Sequence, residues 1–151
     1  EVDTHVWVAS DAGGEHDLHF QEWWTRYRAH LPALRFEQRG LAAARPSAGA
    51  LAALEAADVV IIAPSNPVVS IGTIVSIPGM CDALRAVTAP IVGVSPIIAG
   101  AAVRGMADAC LASIGVATDA GAVARLYGPR SGVGLLDAWL VDEADAGVVD
   151  G

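Results

Sequence analysis

The sequence has 151 residues, a length that suits a single domain and is sufficient to bury a sizeable core. Its formal net charge of −8 argues against nucleic acid as a partner. No apolar run approaches the roughly 20 residues that span a bilayer, which argues against a membrane, so we expect a cytoplasmic protein. All nine basic residues are arginine, which excludes a lysine Schiff base, a lysine general base and a P-loop lysine.

The first half of the chain predicts two strands on either side of an aromatic-rich helix: strand 2–8, loop 10–17, helix 19–31 and strand 34–38. Pro32 is expected to end that helix. Ser47 is the predicted N-cap of a second helix. In the segment 58–63, Asp58 is followed by a continuous apolar run that is rich in β-branched side chains. Such a run is typical of a central parallel strand buried on both faces.

The second half continues the alternation of strands and helices: loop 64–70, helix 79–86, strand 90–95, loop 96–104, helices 106–114 and 119–127, loop 128–134 and strand 135–141. This alternation predicts an α/β fold with a doubly wound, mostly parallel, Rossmann-like sheet. The acidic end, 142–151, predicts a solvated segment that frays. Cys81 and Cys110 lie on apolar helix faces, where we expect buried and unreactive thiols.

Ligands of such sheets bind beyond the carboxyl ends of the strands, which singles out the loops after Ala63 and Val94. In the first loop, Ser65 and Asn66 stand between two prolines, and Ser70 follows. Hydroxyl, amide and free backbone N–H groups in this place suit a phosphate or a ribose. The alternative is an ordinary strand-to-helix connection in which the short polar side chains cap the backbone.

The second loop and the aromatic helix each allow two interpretations. A Ser-Pro pair at Ser95 fixes an extended turn, Gly100 permits close backbone approach, and Arg104 can pair with a phosphate. The alternative for this loop is a purely structural turn. Trp23 and Trp24 belong either to the core or to a surface on which a flat ring stacks.

Four short blocks stand in order along the chain: EVDTHV at 1–6, HFQEWW at 19–24, APSNPVVSI at 63–71 and VSPIIAG at 94–100. Together they resemble the 2-phospho-L-lactate transferase family of coenzyme F-420 biosynthesis, in its actinobacterial, phosphoenolpyruvate transferase-like branch. The resemblance extends over nearly the whole chain. Ala63 and Ala99 stand where many members have glycine, and Arg104 is the expected substitute for a cationic Gly-Lys pair that is absent here.

The resemblance implies an Mg²⁺-dependent, homodimeric transferase that moves a phospholactate or phosphoenolpyruvate-type group from a guanylyl-activated donor to the deazaflavin precursor of F-420, releasing GMP. The implied nucleotide-side residues are Ser65, Asn66, Pro67, Ser70, Ser95, Gly100 and Arg104. The implied deazaflavin-side residues are Gln21, Glu22 and Trp23.

The resemblance also implies that residues 1–151 form the C-terminal part of the transferase domain. The N-terminal part, with a nucleotide loop and the magnesium ligands, would then lie outside this chain. The catalytic residues are therefore left unassigned, no metal ligand is assigned within this sequence, and we expect this chain alone to be inactive.

Three alternatives remain at this point. A sister family consists of non-catalytic proteins that bind a nucleotide sugar or a dinucleotide, but its corresponding loop usually lacks the Ser-Asn-Pro triplet. An ordinary Rossmann oxidoreductase is disfavoured because no G-x-G-x-x-G follows a strand. The chain could also serve only as a structural fragment with exposed strand edges and apolar faces.

Overall fold

The computed structural model describes residues 2–10 and 13–148, in which two kinds of sheet are combined with short helices. The strands are β1 (Asp3–Ala9), β2 (Glu15–His19), β3 (Ala33–Arg39), β4 (Val60–Ile62), β5 (Ile91–Val94), β6 (Ile97–Ile98), β7 (Ala101–Ala102) and β8 (Ala138–Leu140). The α-helices are α1 (Phe20–Thr25), α2 (Ala48–Glu55), α3 (Thr73–Val75), α4 (Met80–Ala86), α5 (Ala107–Ser113) and α6 (Ala120–Tyr127). A π-helix covers Pro67–Gly72, and 3-10 turns cover Leu41–Ala43 and Glu143–Val148.

A few sequence expectations fall outside the described residues. They concern the first residue of the EVDTHV block, part of the first loop and the last residues of the acidic end: Glu1, Asp11, Ala12 and 149–151.

The C-terminal part of the chain forms a parallel sheet with the strand order β4-β5-β8. Ile62 and Ile91 point from this sheet into a core that also contains Leu111 and Val123 from α5 and α6. A hairpin of β6 and β7 follows β5. The parallel pairing and the helices packed on one face confirm the predicted α/β class.

The N-terminal part forms a separate antiparallel sheet with the strand order β2-β1-β3, which the sequence reasoning did not predict. The expectation of a mostly parallel sheet is therefore correct only for the C-terminal sheet. Val6 and Val8 are buried against Trp23, whereas Trp7 lies on the opposite face and donates its Nε1–H to Glu37 at 2.9 Å. This alternation of buried and solvated side chains is typical of an antiparallel sheet with one covered face.

Strand β4 is not buried on both faces, which corrects the interpretation of the apolar run 58–63. Ile62 is buried, but the Ile61 side chain is 63% exposed. Among the described residues β4 pairs only with β5, so it lies at an edge of the sheet. A continuous apolar run predicts a parallel strand correctly, but it does not reveal whether both neighbours of that strand are present.

Helix α1 is shorter than the predicted helix 19–31. It begins after His19, whose Nδ1 accepts a hydrogen bond from the Gln21 N–H at 3.2 Å. It ends at Thr25, and Arg28 and Ala29 both have positive φ angles (49° and 56°), which a helix does not allow. Strand β2 also begins inside the predicted loop 10–17. The predicted N-cap of α2 is confirmed, since the Ser47 Oγ accepts from the Ala50 N–H at 3.1 Å.

Helix α5 lies between the two sheets and contributes to the cores of both. Ala107 and Leu111 belong to the core of the parallel sheet. Ala109, together with the preceding Met106, packs against the core of the antiparallel sheet. Over the residues that the structure describes, no single helix is long and apolar enough to span a membrane; one bent pair, Pro67–Val75 with Met80–Ala86, meets that length and composition only when taken together.

Candidate functional site

A cavity of about 650 Å³ opens where the antiparallel sheet and α1 face the carboxyl ends of β4 and β5. Its wall is formed by the start of β1, one side of α1, the loop after β4 and the segment that leads into α5. The lining residues are Val2, Asp3, Thr4, His19, Phe20, Gln21, Trp24, Pro64, Ser65, Asn66, Val69, Ser70, Pro96, Arg104, Gly105, Met106 and Ala107. The cavity therefore lies beyond the strand ends, where the fold predicts a ligand.

Five of the ten residues singled out in the sequence meet at this cavity: Gln21, Ser65, Asn66, Ser70 and Arg104. They come from three distant parts of the chain, and the two sheets bring them together. The other five, discussed below, do not line this cavity: Glu22, Trp23, Pro67, Ser95 and Gly100.

Asn66 organises the loop after β4. Its Oδ1 accepts hydrogen bonds from the backbone N–H groups of Val68 and Val69 at 2.9 and 3.1 Å. Its carbonyl oxygen accepts from the N–H groups of Ser70 and Ile71 and so begins the π-helix, in which Pro67 is buried. The free N–H groups expected for an anion at this helix start are thus already bonded, which corrects that part of the sequence interpretation.

The amide group of Asn66 also reaches Cys110 of α5. Because the oxygen of the amide accepts the two backbone N–H groups, the nitrogen is the end that faces the thiol. Burial raises the pKa of the Cys110 thiol to about 11, although the hydrogen bond from Asn66 opposes that change. Cys110 is therefore a protonated, buried side chain, as expected, whereas Cys81 is only half-buried.

Replacing Asn66 with alanine is expected to lower the free energy of unfolding by about 1 kcal/mol, because two cap hydrogen bonds are lost. Asn66→Asp keeps the accepting oxygen and should retain most of that stability. Urea unfolding followed by circular dichroism measures both effects. Ser65→Ala is the matched control in the same loop, because none of the described residues forms a side-chain hydrogen bond with Ser65. Equal stability of Asn66→Ala and the wild type would contradict the capping role.

Helix α1 turns Gln21 and Trp24 toward the cavity, and Glu22 and Trp23 away from it. Trp23 is fully buried in the core of the antiparallel sheet, and its Nε1–H donates to the Leu31 carbonyl oxygen at 2.8 Å. Trp23 therefore cannot face a ligand in this structure, and Trp24 takes the place predicted for it. Trp24 lies on the same face of α1 as Gln21, because residues three apart on a helix share a face.

Glu22 forms an exposed ion pair with Arg26, at 2.9 Å and one helical turn away. It belongs to the solvated side of α1. Trp24 is exposed and contacts Phe20, with a distance of 5.6 Å between the ring centroids. Two aromatic rings thus form one wall of the cavity.

Ser95 and Gly100 shape the hairpin that follows β5 instead of lining the cavity. The buried Ser95 hydroxyl donates to the Ile97 carbonyl oxygen at 2.8 Å and accepts from the Ile97 N–H at 3.1 Å, which closes a local turn. Ala99 and Gly100 have φ angles of 50° and 76° at the tip of the hairpin. The structural alternative for this turn is therefore the arrangement observed.

The acidic end contributes an anchor for that hairpin, which the sequence reasoning did not foresee. Asp145 is buried, and its two carboxylate oxygens accept from the Ala99 N–H at 3.1 and 3.0 Å. The expectation of a fraying, solvated end is wrong for this residue. The contact joins positions 46 residues apart, so no local pattern could have indicated it.

The ionisable groups at the cavity are few. Arg104 is exposed there, and within residues 2–10 and 13–148 it has no carboxylate partner. Asp3 is the one carboxylate among the lining residues, and His19 contributes an imidazole. An unpaired guanidinium in a concave site attracts an anionic ligand such as a phosphate.

The magnesium expectation has no complete ligand set in the part of the chain that the structure describes. No group of three or more His, Cys, Asp or Glu side chains is placed there to hold a metal ion. Mg²⁺ is usually bound through one or two carboxylates together with waters and phosphate oxygens. Asp3 alone does not make such a site, so the expectation that the magnesium ligands lie outside this chain remains a prediction.

Comparison with known proteins decides the family. Residues 1–149 match the family described as 2-phospho-L-lactate transferase CofD. The chain belongs to this family. The match includes all the residues that line the cavity.

Two curated relatives share more than half of their aligned residues with this chain. It is 58% identical over 149 residues to a phosphoenolpyruvate transferase of Thermobifida fusca, and 53% identical over 150 residues to one of Mycobacterium sp. strain KMS. These alignments cover 99% of this chain but only 44% and 45% of the two relatives. The chain thus spans less than half the length of the curated relatives it matches.

Solved structures support the fold. A UPF0052-family protein of Bacillus halodurans superposes with a TM-score of 0.59 at 20% sequence identity, over 93% of this chain and 40% of that chain. A second crystal structure of a protein from the same organism gives a TM-score of 0.52. At this identity the similarity concerns the arrangement of strands and helices alone.

Proposed function

We propose that this chain provides one wall of the acceptor and donor site of a transferase in coenzyme F-420 biosynthesis. The group transferred is of the phospholactate or phosphoenolpyruvate type, the donor is its guanylyl-activated form, and the acceptor is the deazaflavin precursor. GMP leaves as the new phosphodiester forms. The observation that carries the proposal is a cavity with an unpaired arginine, Arg104, and an aromatic wall, Trp24 with Phe20, in a chain of the CofD family.

The two sides of the cavity suit the two kinds of reactant. Arg104 and the hydroxyl groups of Ser65 and Ser70 are donors for phosphate or ribose oxygens. Trp24 offers a flat apolar surface to a tricyclic ring, and Gln21 next to it can donate to or accept from polar ring substituents. Membership of the CofD family fits this division between an anion and an aromatic ring.

In this reaction the residues of the cavity would position the two reactants and would not form a covalent bond with either. In the proposed reaction, a hydroxyl oxygen of the deazaflavin side chain forms a bond to the phosphorus next to the acid, while the bond from that phosphorus to the GMP oxygen breaks. The proton of the hydroxyl leaves with solvent. Holding the two reactants in line contributes much of the acceleration of such a step. Cys110 cannot serve as a nucleophile, because burial keeps its thiol protonated.

The proposal is tested by titrating the deazaflavin precursor, through its own fluorescence, and GDP into the wild type and two variants. Arg104→Ala should weaken GDP binding about tenfold, since a charge-assisted hydrogen bond is lost. Trp24→Ala should weaken deazaflavin binding about tenfold through lost stacking, whereas Trp24→Phe retains most of it.

Arg26→Ala is the matched control, because Arg26 is an exposed arginine on the solvated side of α1. NAD, a flavin and a nucleotide sugar are the comparison ligands. Tight binding of a nucleotide sugar or dinucleotide without deazaflavin binding would favour the non-catalytic sister family and contradict the transferase. The homodimer, the cytoplasmic location and the inactivity of this chain by itself remain predictions.

A further inference from the structure

A second cavity, of about 490 Å³, is separated from the first by the π-helix. Val69 and Ser70 line the first cavity, whereas Pro67 and Val68 line the second, and none of the described residues lines both. The other walls come from β3, α3, α4, the carboxyl ends of α5 and α6, and the segment before β8. A cavity of this size accommodates a small organic molecule, and it is distinct from the site described above.

The lining of the second cavity is apolar and carries positive but no negative charge. Most of its side chains are apolar, among them Phe36, Val75 and Leu135. Arg35 and Arg85 line it, and none of the described carboxylates does. In a chain with a formal net charge of −8, this composition favours a ligand that carries a negative charge on an apolar body.

Arg85 is the arginine that is available to such a ligand. Arg35 already forms an ion pair with Glu15, and its guanidinium carbon lies 4.3 Å from the centre of the Trp7 ring. Arg85 is exposed and has no carboxylate partner in the part of the chain that the structure describes. Its guanidinium donates to the carbonyl oxygen of Val133, another lining residue. A guanidinium has five N–H donors, so several remain for a carboxylate.

Tyr127 supplies a second donor to this cavity. The residue is only 8% exposed, yet no described residue forms a hydrogen bond with its hydroxyl, which is unusual for a buried polar group. Among the described residues, no buried polar side-chain atom lacks both a partner and access to solvent. The hydroxyl must therefore reach open space, and the second cavity is the one that Tyr127 lines. Burial raises the pKa of this hydroxyl above its ordinary value, so it stays protonated and able to donate.

We propose that the second cavity is a binding site for a small carboxylate with an apolar body, such as a medium-chain fatty acid or an aromatic acid. The carboxylate accepts hydrogen bonds from the Arg85 guanidinium and the Tyr127 hydroxyl, and the apolar body lies against the lining. One free guanidinium matches the single charge of a carboxylate better than the double charge of a phosphate monoester. This inference does not depend on the function proposed for the first cavity.

Hexanoate, titrated into this chain, tests the proposal, and hexan-1-ol is the uncharged probe of the same length. Cys81 is the reporter, because it lines the second cavity and is only half-buried. The protein is treated briefly with a maleimide at each ligand concentration and at constant ionic strength, and mass spectrometry of peptides measures the labelling of Cys81. Hexanoate should slow this labelling saturably, and hexan-1-ol should need about tenfold higher concentrations, since it lacks a charge-assisted hydrogen bond.

Two variants of the lining residues separate the charge from the apolar contact. Arg85→Met should weaken hexanoate binding about tenfold and leave hexan-1-ol binding unchanged, whereas Arg85→Lys retains the charge and most of the affinity. Tyr127→Phe should weaken hexanoate binding about fivefold, because one neutral donor is lost. Arg125→Met is the matched control, since Arg125 is an exposed arginine of α6 that does not line the cavity. The buried Cys110, which should stay unlabelled, reports that each variant is folded.

Three results would overturn the proposal. The first is labelling of Cys81 that hexanoate does not slow in a folded protein. The second is an equal effect of hexanoate and hexan-1-ol, since the cavity would then not select an anion. The third is a Cys81 that is protected without any ligand, together with the mass of a dimer, because a second copy of the chain would then occupy the cavity.

Discussion

Replacing Gly93 with alanine should lower the free energy of unfolding by about 3 kcal/mol, the upper range for overpacking a core. A Cβ at this position would lie 2.6 Å from two ring carbons of Trp139 and 2.9 Å from Leu136 Cδ2. The ring cannot easily move aside, because the Trp139 Nε1–H donates to the Ala120 carbonyl oxygen at 3.1 Å and the ring contacts Tyr127. Denaturant unfolding at equilibrium measures the loss.

Gly49→Ala is the matched control for that substitution. Gly49 is exposed in α2, and an added Cβ would meet nothing closer than the Ser47 Oγ at 4.0 Å. Alanine there should raise the stability by at most about 0.5 kcal/mol, because Gly49 lies in the first turn of α2 and not in its interior. Combining Gly93→Ala with Trp139→Leu should recover part of the loss if steric conflict is its cause. A Gly93→Ala variant as stable as the wild type would show that β5 and β8 are less closely packed than described.

Replacing Arg130 with methionine is the second change with a large expected effect. The Arg130 guanidinium donates to the Ala89 carbonyl oxygen at 2.9 Å, to the Val87 carbonyl oxygen and to Asp137 Oδ2 at 2.8 Å. The same Asp137 oxygen accepts from the Ile91 N–H at 2.8 Å. Methionine retains the apolar stem but none of these bonds, so the free energy of unfolding should fall by about 2–3 kcal/mol. Arg125→Met, at an exposed arginine with one weak ion pair, should change little.

The contact between Arg130 and Asp137 should also make the stability of the fold depend on pH. The hydrogen bond from the Ile91 N–H, followed by that from Arg130, lowers the pKa of Asp137 below its ordinary value. Since the pKa is lower in the folded state than in the unfolded chain, the stabilisation is fully present above the ordinary aspartate pKa of about 3.9. It is lost as the pH falls through the lower folded-state value. Urea unfolding between neutral and acidic pH should therefore show a smaller acid dependence in Arg130→Met than in the wild type.

The sequence predicted the strands of the parallel sheet and most helices, because those depend on local patterns, but it missed β2, β6 and β7, which lie largely in predicted loops. The apolar runs at β4 and β5 indicated parallel strands, and the two loops after them were singled out because they follow the carboxyl ends of these strands. Ser65, Ser70 and Arg104, which the sequence singled out, line the cavity. Their roles toward a ligand remain predictions, because the structure contains no bound molecule.

Features that depend on contacts between distant residues could not be predicted in the same way. The choice between Trp23 and Trp24 requires knowing which side of α1 packs on β1, and the aromatic pattern alone fits either. The capping role of Asn66 was one of two open interpretations, and only the π-helix geometry distinguishes them. The anchor from Asp145 to Ala99 depends on tertiary structure alone.

Helix α5 links the shape of the cavity to the packing of both sheets. The same seven-residue helix is packed into both cores, and the segment before it forms part of the cavity wall. Any ligand that fills the cavity adds contacts to both sheets at once, so its binding energy is linked to how the sheets are set against each other. Substitutions at Ala109, which does not line the cavity, should then alter affinity by tilting α5. A change in the spacing between the two hydrophobic cores would thus change the affinity of the cavity for its ligand.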